Sequence, residues 1–287
     1  MSFAKHGKHK QTWYAVYPSK KLKKKKVISI NVLSKKLLIR RDRKGKLLVC
    51  RRRCPHLGAD LSDGKFNRGY VVCPFHGYKI SFDESRNNCK YAIQPFPVQE
   101  RYGLIWIFNG PKPTHDLPKI QTKERFVVKL PAQIVNAHPH LVISNGLDVN
   151  HFNQVHDLSF TEMPKVTSSK IHVSVSFKAK SNMLLFRKKQ MEASFTTYAS
   201  NIAIASIEKP ISFDVMFTGL DRNRKCKTQT IVFLPKSIKS IQAISLLYIL
   251  LHDDVKILSK LKFQPNFNEA DKAIESFHNI VNSIAEY

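Results

Sequence analysis

The stretch CPHLGADLSDG, residues 54–64, places a cysteine and a histidine two positions apart beside a proline and a glycine. A second stretch, CPFHG, residues 73–77, repeats this combination with one more residue between the cysteine and the histidine. Proline and glycine favour tight turns, so each loop is expected to direct its cysteine and histidine toward one centre. The four candidate ligands are Cys54, His56, Cys73 and His76.

Two thiolates and two imidazoles suit two kinds of metal centre. They fit zinc in a tetrahedral site. They also fit a [2Fe–2S] cluster in which two cysteines hold one iron and two histidines hold the other. A common zinc finger runs Cys, Cys, His, His, whereas this chain runs Cys, His, Cys, His with sixteen residues between the pairs. The alternating order favours the iron–sulfur cluster and leaves zinc as the alternative.

The two loops together, CPHLGADLSDG and VVCPFHGYKISFD, resemble the Rieske motif over their whole length. The resemblance implies a small β domain in which the four candidate ligands hold a Rieske [2Fe–2S] cluster. Rieske proteins of respiratory and photosynthetic chains usually carry one more cysteine in each loop, where this chain has Ala59 or its neighbours and Phe75. The motif is therefore closer to the Rieske domains of soluble oxygenases and their ferredoxins.

The other cysteines point to no further site. The chain has five in total, an odd and sparse set that argues against a disulfide scaffold. Cys50, Cys89 and Cys226 are each expected to be small, buried hydrophobic residues.

A second candidate metal site lies in SNGLDVNHFNQVHDLSF, residues 144–160, which contains Asp148, His151 and His156. Two imidazoles and one carboxylate form the facial set that holds non-heme Fe(II) and leaves positions open. On an ideal helix, residues five apart point about 140° from each other, so both histidines reach one metal only if the helix is distorted. The alternative is that these are surface or helix-capping residues.

The pattern Asp-x-x-His-x-x-x-x-His resembles that of the Rieske non-heme iron oxygenases, the ring-hydroxylating oxygenase alpha-subunit superfamily. Asn145 extends the likeness to the N-x-x-D-x-x-H form of the monooxygenase-like branch. The resemblance implies that His151 and His156 bind iron together with a later carboxylate. In LLYILLHDDVKILSKL, residues 246–261, Asp254 is the preferred third ligand and Asp253 the alternative.

The resemblance also gives Asp148 a catalytic role. In this family a carboxylate bridges a cluster histidine of one subunit and an iron-ligand histidine of the next, within a ring-shaped homotrimer. By position Asp148 is that bridge, with His76 and His151 as its partners. An ionised aspartate suits this role because it can accept N–H bonds from both imidazoles. The alternative role is that of a helix-capping acid.

The pattern of strands and helices divides the chain into two domains. Short strand patterns dominate up to residue 109, and the proline-rich segment 109–120 is a predicted linker. We therefore expect a Rieske [2Fe–2S] domain over 1–112 and a catalytic mononuclear iron domain over 113–287. The predicted class is α+β: an all-β Rieske domain before a C-terminal helix-grip, START-like antiparallel sheet with helices.

Three elements of the second domain are predicted individually. Residues 144–157 are expected to be helical, and the apolar run 244–251 a buried strand. The tail is expected to form a helix capped by Asn268 with Asp271. One face of that helix carries an apolar stripe. The stripe consists of Ile274, Phe277, Val281 and Ile284.

The chain is strongly basic, with a net charge of +27, and residues 1–53 hold 19 basic residues against one acid, Asp42. This charge fits a solvated lysine-rich surface or a docking face for an acidic protein. Nucleic acid is disfavoured because no aromatic residues interleave with the basic runs. No apolar run is long enough to span a membrane, and the first residues lack a secretory signal, so a cytoplasmic location is expected.

The resemblance finally implies a function: a Rieske-type mono- or dioxygenase component. A reductase would pass electrons from NAD(P)H, sometimes through a ferredoxin, to the cluster. A mononuclear Fe(II) would then activate O2 and oxidise a small organic substrate, by hydroxylation or demethylation. Two alternatives stay open, an electron-transfer protein without oxygenase activity and a basic zinc-binding interaction module.

Overall fold

The computed structural model describes residues 6–83, 89–181, 189–209, 212–236, 253–262 and 266–287. Two compact units are present. The N-terminal unit comprises Gln11–His115 and Tyr287, and the C-terminal unit comprises Asp116–Glu286 with the described residues ahead of Gln11. The predicted linker therefore spans the point at which one unit gives way to the other.

The N-terminal unit is built from short β-strands in three small sheets, with strand orders β1-β10-β9, β2-β3-β4 and β5-β6-β7-β8. Apolar side chains such as Leu38, Val71 and Ile80 are fully buried and form its core. The strands are β1 Trp13–Pro18, β2 Val27–Val32, β3 Lys35–Arg41, β4 Leu47–Arg51, β5 Lys65–Asn67, β6 Tyr70–Val72, β7 Lys79–Ser81, β8 Tyr91–Ala92, β9 Val98–Arg101 and β10 Leu104–Phe108.

The C-terminal unit is organised around one nine-stranded sheet whose described pairings are all antiparallel. The strand order is β11-β19-β18-β17-β16-β15-β13, with β12 also paired to β19 and β14 to β15. The strands are β11 Arg125–Lys129, β12 Gln133–Val135, β13 Leu158–Phe160, β14 Lys165–Ser168, β15 His172–Ser181, β16 Lys189–Tyr198, β17 Ile202–Lys209, β18 Phe213–Arg222 and β19 Lys225–Pro235.

Helices pack on this sheet because buried apolar side chains alternate with more exposed side chains along its strands. In β15 the side chains of Val173, Val175 and Ala179 are buried, as expected for a strand with one face on the core. Helix α1 lies against β18 and β19, and α4 lies against β15 and β14. The helices are α1 Pro139–Ser144, α2 Val149–His156, α3 at 253–258 and α4 Lys272–Ser283.

The predicted fold class is confirmed, since an all-β unit precedes an antiparallel sheet carrying helices. The tail helix is also confirmed: the Asn268 side chain accepts from Ala270 N–H, and Asp271 completes a capping box. The predicted helical stretch over 144–157 is confirmed for most of its length, but it is interrupted at Asp148, where a short 3-10 turn that follows α1 ends and α2 begins. The predicted strand at 244–251 lies outside the described residues.

Helix α4 is expected to be essential for the stability of the C-terminal unit. Phe277 is fully buried in the cluster that α4 forms with β15. Phe277→Ala should therefore lower the free energy of unfolding by about 3–5 kcal/mol through lost contacts and a residual cavity. Urea denaturation measures this. The matched control is Asn279→Ala on the exposed side of α4, and a loss at Phe277 no larger than the control's would contradict the assigned packing.

Candidate metal centres

The two Cys–His loops of the N-terminal unit share one backbone design. In the first, Gly58 N–H donates to the Cys54 carbonyl (2.9 Å), and Cys54 N–H donates to the Ala59 carbonyl (2.8 Å). In the second, Gly77 N–H donates to the Cys73 carbonyl (3.0 Å), and Cys73 N–H donates to Tyr78 (2.8 Å). Each loop is thus closed into a tight knuckle with the cysteine at its base.

Glycine is required at the end of each knuckle. Gly58 has φ +77° and Gly77 has φ +70°, in the left-handed region that residues with a Cβ adopt at a cost. An added Cβ would meet no atom within 4 Å at either position. The need for glycine is therefore one of backbone conformation rather than of space.

The knuckles bring the two thiols together at the edge of an apolar cluster, where backbone N–H groups point at each sulfur. Burial opposes ionisation of Cys73, but backbone N–H groups of Phe75 and His76 and the Cys54 thiol hold its pKa below the ordinary value. Burial raises the pKa of Cys54, despite N–H groups of His56 and Leu57, and its contact with Cys73 adds to the rise. Each sulfur therefore has N–H donors ready for the negative charge of a metal-bound thiolate.

The two imidazoles face each other above the knuckles. His56 Nδ1 and His76 Nδ1 lie 3.2 Å apart. Two nitrogens each about 2.1 Å from one metal ion lie roughly 3–3.5 Å apart, so this spacing fits two ligands of one metal. The His56 ring stacks on Tyr91 with centroids 5.4 Å apart, while His76 is exposed. The donor set and its spacing therefore fit a cluster with one sulfur side and one nitrogen side.

The second predicted centre lies in the C-terminal unit, where His151, His156 and Asp254 each offer a ligand atom within 4.8 Å of the others. Asp254 Oδ1 lies 3.0 Å from His156 Nε2 and 3.8 Å from His151 Nε2. These distances bracket the roughly 3–3.5 Å expected between two donors of one ion. His156 Nδ1 is buried and has no hydrogen-bond partner in the described part of the chain.

The end of α2 explains how two histidines five residues apart converge. Asp157 N–H donates to the carbonyl of Phe152, five residues back, so the last turn is wider than an α-helical turn. Wider turns of this kind have more residues per turn and are found at functional sites. Asp157 itself has a left-handed conformation (φ 50°, ψ 45°) and ends the helix at His156. The required distortion of the helix is therefore present.

A backbone contact fixes which nitrogen of His151 faces the other ligands. His151 Nδ1 lies 2.5 Å from the Asp148 carbonyl oxygen, which can only accept, so Nδ1 carries the proton. The lone pair is then on Nε2, the atom nearer Asp254. Burial lowers the pKa of His151, although Asp254 and the Asp148 carbonyl act in the opposite direction. A neutral imidazole with an unprotonated Nε2 is the form that binds a metal.

Asp148 caps α2 in this structure. Its carboxylate accepts from the backbone N–H groups of Asn150 (3.1 Å) and His151 (3.4 Å), both through Oδ1. Asn145, the other polar residue of the motif, points its amide nitrogen at His151 Nε2 over 3.4 Å. The cap uses only Oδ1 of Asp148, so Oδ2 of the same carboxylate stays available for the predicted bridge to a second histidine.

An apolar cavity opens onto the three converging residues. It lies between the sheet, α2 and α3. Its lining includes Phe152, Phe177, Met191, Phe195, Phe213 and Phe217. Among the described lining residues, the only titratable side chains are His151, His156 and Asp254. The walls of the cavity are therefore mostly apolar with some neutral polar side chains, and its ionisable side chains lie only at the candidate metal centre.

The cysteines outside the knuckles are consistent with structural roles. Cys50 and Cys226 are almost fully buried, and burial raises the pKa of each to about 12. Both are therefore inert small hydrophobic residues, as predicted. Cys89 is only partly buried, so the prediction of burial is wrong there. Among the described helices, none has the length and hydropathy that a membrane crossing requires.

Comparison with known proteins gives this arrangement a class. Residues 12–100 match the model of the Rieske [2Fe-2S] domain, and residues 106–222 match that of the 3-ketosteroid 9alpha-hydroxylase C-terminal domain. A β domain with two Cys–His knuckles followed by a sheet domain of this type defines the Rieske oxygenases. The chain belongs to this family, and the predicted resemblance is confirmed.

Individual relatives agree with the family. Aminopyrrolnitrin oxygenase PrnD of Pseudomonas fluorescens is 27% identical over 174 residues, covering 51% of this chain and 46% of that protein. Cholesterol 7-desaturase nvd of Bombyx mori is 32% identical over 160 residues, covering 51% and 35%. The 4beta-methylsterol monooxygenase of Methylococcus capsulatus is 29% identical over 157 residues, covering 48% and 42%. These matches span less than half of each relative.

Solved structures show the same fold over nearly the whole chain. Dicamba monooxygenase bound to dicamba superposes with a TM-score of 0.70 at 17% identity, covering 95% of this chain and 96% of that one. NdmA of Pseudomonas putida CBB5 with caffeine gives a TM-score of 0.73 at 17% identity, covering 95% and 90%. At 17% sequence identity, these structural similarities show that the fold is shared.

The adjacent acids Asp253 and Asp254 allow a matched test of the predicted third iron ligand. Asp254 faces both histidines, whereas Asp253 is exposed. Asp254→Asn should lower the affinity for the mononuclear iron at least about tenfold, because the amide carries no charge, and should leave the cluster intact. Iron and sulfide content per chain measures both. Asp253→Asn is the control, and equal iron in the two variants would exclude Asp254 as a ligand.

Proposed function

We propose that the chain is a Rieske oxygenase component that oxidises a neutral, largely apolar substrate. The observation that carries this is the convergence of His151, His156 and Asp254 at the end of an apolar cavity. When bound, the [2Fe–2S] cluster supplies single electrons and the mononuclear iron supplies the redox chemistry that uses O2 to oxidise the substrate. In this proposal Cys54, His56, Cys73 and His76 hold the cluster.

The walls of the cavity favour the substrate class. The chain has a net charge of +27, yet no lysine or arginine is among the described residues that line the cavity. A carboxylate or phosphate would be desolvated there without a counter-charge, which is costly. A neutral hydrocarbon skeleton suits the phenylalanine-rich walls. Relatives named as sterol enzymes, 4beta-methylsterol monooxygenase and cholesterol 7-desaturase, are consistent with a polycyclic substrate of this kind.

Asp148 is the proposed catalytic residue, acting as a bridge between subunits of a homotrimer. Its carboxylate is half-buried and holds His151 through the start of α2. His76 is exposed, and two large apolar side chains at the knuckle tips, Leu57 and Phe75, are about two-thirds exposed. A neighbouring subunit would cover these apolar tips and bring its Asp148 to this His76. An NAD(P)H-dependent reductase or a ferredoxin is the proposed electron source.

The proposed function is tested by identifying which compounds the protein oxidises. Purified protein, an NADPH-driven reductase and ferredoxin are incubated under 18O2 with a panel of neutral polycyclic compounds and matched carboxylates. We expect mass spectrometry to find products oxidised at the expense of O2 only from neutral substrates, and none from a His151→Ala variant. If reduction of the cluster proceeds with no oxidised product from any compound, the chain is an electron carrier instead.

Replacing Asp148 separates bridging from capping. Asp148→Asn should keep helix α2, because asparagine is as good an N-cap as aspartate. It should also keep both metals, but product formation should fall at least about tenfold, because the one amide oxygen is used as the cap and an NH2 group then stands where the bridge needs an oxygen to accept N–H from the His76 of the next subunit. Turnover and metal content are measured together. Asp157→Asn, the same change at the exposed end of α2, is the control, and unchanged turnover of Asp148→Asn would remove the bridging role.

The lysine run at 20–26 gives a test of donor docking. Lys23, Lys24 and Lys26 are exposed on the N-terminal unit. If this face attracts an acidic ferredoxin, the rate of cluster reduction should fall at least about tenfold as ionic strength rises from about 0.01 M to about 1 M. Stopped-flow absorbance measures the rate.

Charge-neutral variants serve as the control for this effect. Lys→Gln at 23, 24 and 26 should weaken the salt dependence. Lys→Gln at three exposed positions of the C-terminal unit, Lys165, Lys170 and Lys272, should leave it unchanged. A flat salt response of the unmodified protein would mean that the basic face is only a solvated surface.

A further inference from the structure

A second group of metal-binding side chains lies in the C-terminal unit and shares no residue with the first. His6, His138 and Asp221 each offer one ligand atom, and these atoms lie within 4.8 Å of one another. His6 Nδ1 lies 3.1 Å from Asp221 Oδ2, and the rings of His6 and His138 have centroids 4.8 Å apart. Two imidazoles and a carboxylate are a common ligand set for zinc.

Three separate elements bring these residues together. His138 is the N-cap of α1, and Asp221 lies near the end of β18, where it pairs with Cys226 of β19. His6 lies on the segment that precedes the N-terminal unit. That segment is held in place independently of His6, because Gly7 N–H donates to Asp221 Oδ2 (3.0 Å) and Lys10 forms a β-bridge with Glu286. The three side chains thus meet on a fixed backbone.

The Asp221 carboxylate is buried, and only one of its two oxygens has a hydrogen-bond partner in the described part of the chain. The Asp221 side chain is 10% exposed. Its Oδ2 accepts from Gly7 and faces His6, but Oδ1 is fully buried and has no hydrogen-bond partner in the described part of the chain. A buried carboxylate oxygen without a partner is costly, and a bound cation would offset that cost.

We propose that His6, His138 and Asp221 bind one zinc-type divalent ion, with a fourth position left to water, and that this ion adds a link between the segment 6–10 and the rest of the C-terminal unit. In the structure His138 Nδ1 accepts a long hydrogen bond (3.2 Å) from His140 N–H, which caps α1. Metal binding would replace this bond, because a metal at Nδ1 takes its lone pair and a metal at Nε2 leaves the proton on Nδ1.

The test counts zinc in full-length protein that carries no histidine tag. Zn2+ can also enter the site of His151 and His156, so every protein is made in an Asp254→Asn background, which weakens that site. Equilibrium dialysis against Zn2+ with elemental analysis is then performed on this background protein and on variants that also carry His6→Gln or Asp221→Asn. His172→Gln is the control, a histidine of the same unit that bonds Ser169 instead.

The background protein and the His172→Gln control should each bind one Zn2+ at this site. The His6→Gln variant should bind it at least about 100-fold more weakly, since losing a ligand costs more affinity than losing an outer-shell partner. Asp221→Asn should behave like His6→Gln. His6→Gln alters a partly exposed residue and should fold normally, so the test stands even if Asp221→Asn does not fold. Equal zinc in His6→Gln and the control would overturn the proposal and leave His6 and Asp221 as a hydrogen-bonded pair. The outcome does not depend on oxygenase activity.

Discussion

The geometry of the candidate mononuclear metal site depends on the break in the chain at Asp148. Its carboxylate accepts two backbone N–H groups and starts α2, while its carbonyl accepts Nδ1–H of His151. One residue thus sets the direction of the helix, the orientation of the first histidine and the nitrogen that is free to bind metal. The widened last turn of α2 then places His156 beside it. Asp254 reaches the same point from a different element, 98 residues further along the chain.

In the N-terminal unit, the candidate ligands are positioned by the backbone of the two knuckles. Each knuckle is closed by two main-chain hydrogen bonds and a left-handed glycine, and each sulfur faces two N–H groups. The knuckles differ in whether histidine occupies the third or the fourth position. That offset brings the two Nδ1 atoms face to face at 3.2 Å while the other position in each loop exposes an apolar side chain. Ligand placement and the exposed apolar surface therefore arise from the same loop geometry.

Much of this could be predicted from the sequence where the determinants are local. Proline, glycine and the Cys–His spacing specify the knuckles, and alternation specifies strands such as β15. The break at Asp148 could not be predicted from periodicity, because aspartate fits both a helix and its cap. The group of His6, His138 and Asp221 gives no spacing signal, since only the tertiary fold brings its three elements together. Asp254 could be chosen over Asp253 only through a family resemblance, whereas the structure distinguishes them by which acid faces the histidines.

The proposed function requires two separate iron centres in each chain, one in each unit. The most direct measurement is the iron and acid-labile sulfide content of anaerobically purified protein, combined with EPR of the reduced cluster. Two such centres give three irons and two sulfides per chain, with the cluster signal arising from only two of those irons. Two irons and two sulfides, with no additional iron after anaerobic incubation with Fe(II), would contradict it.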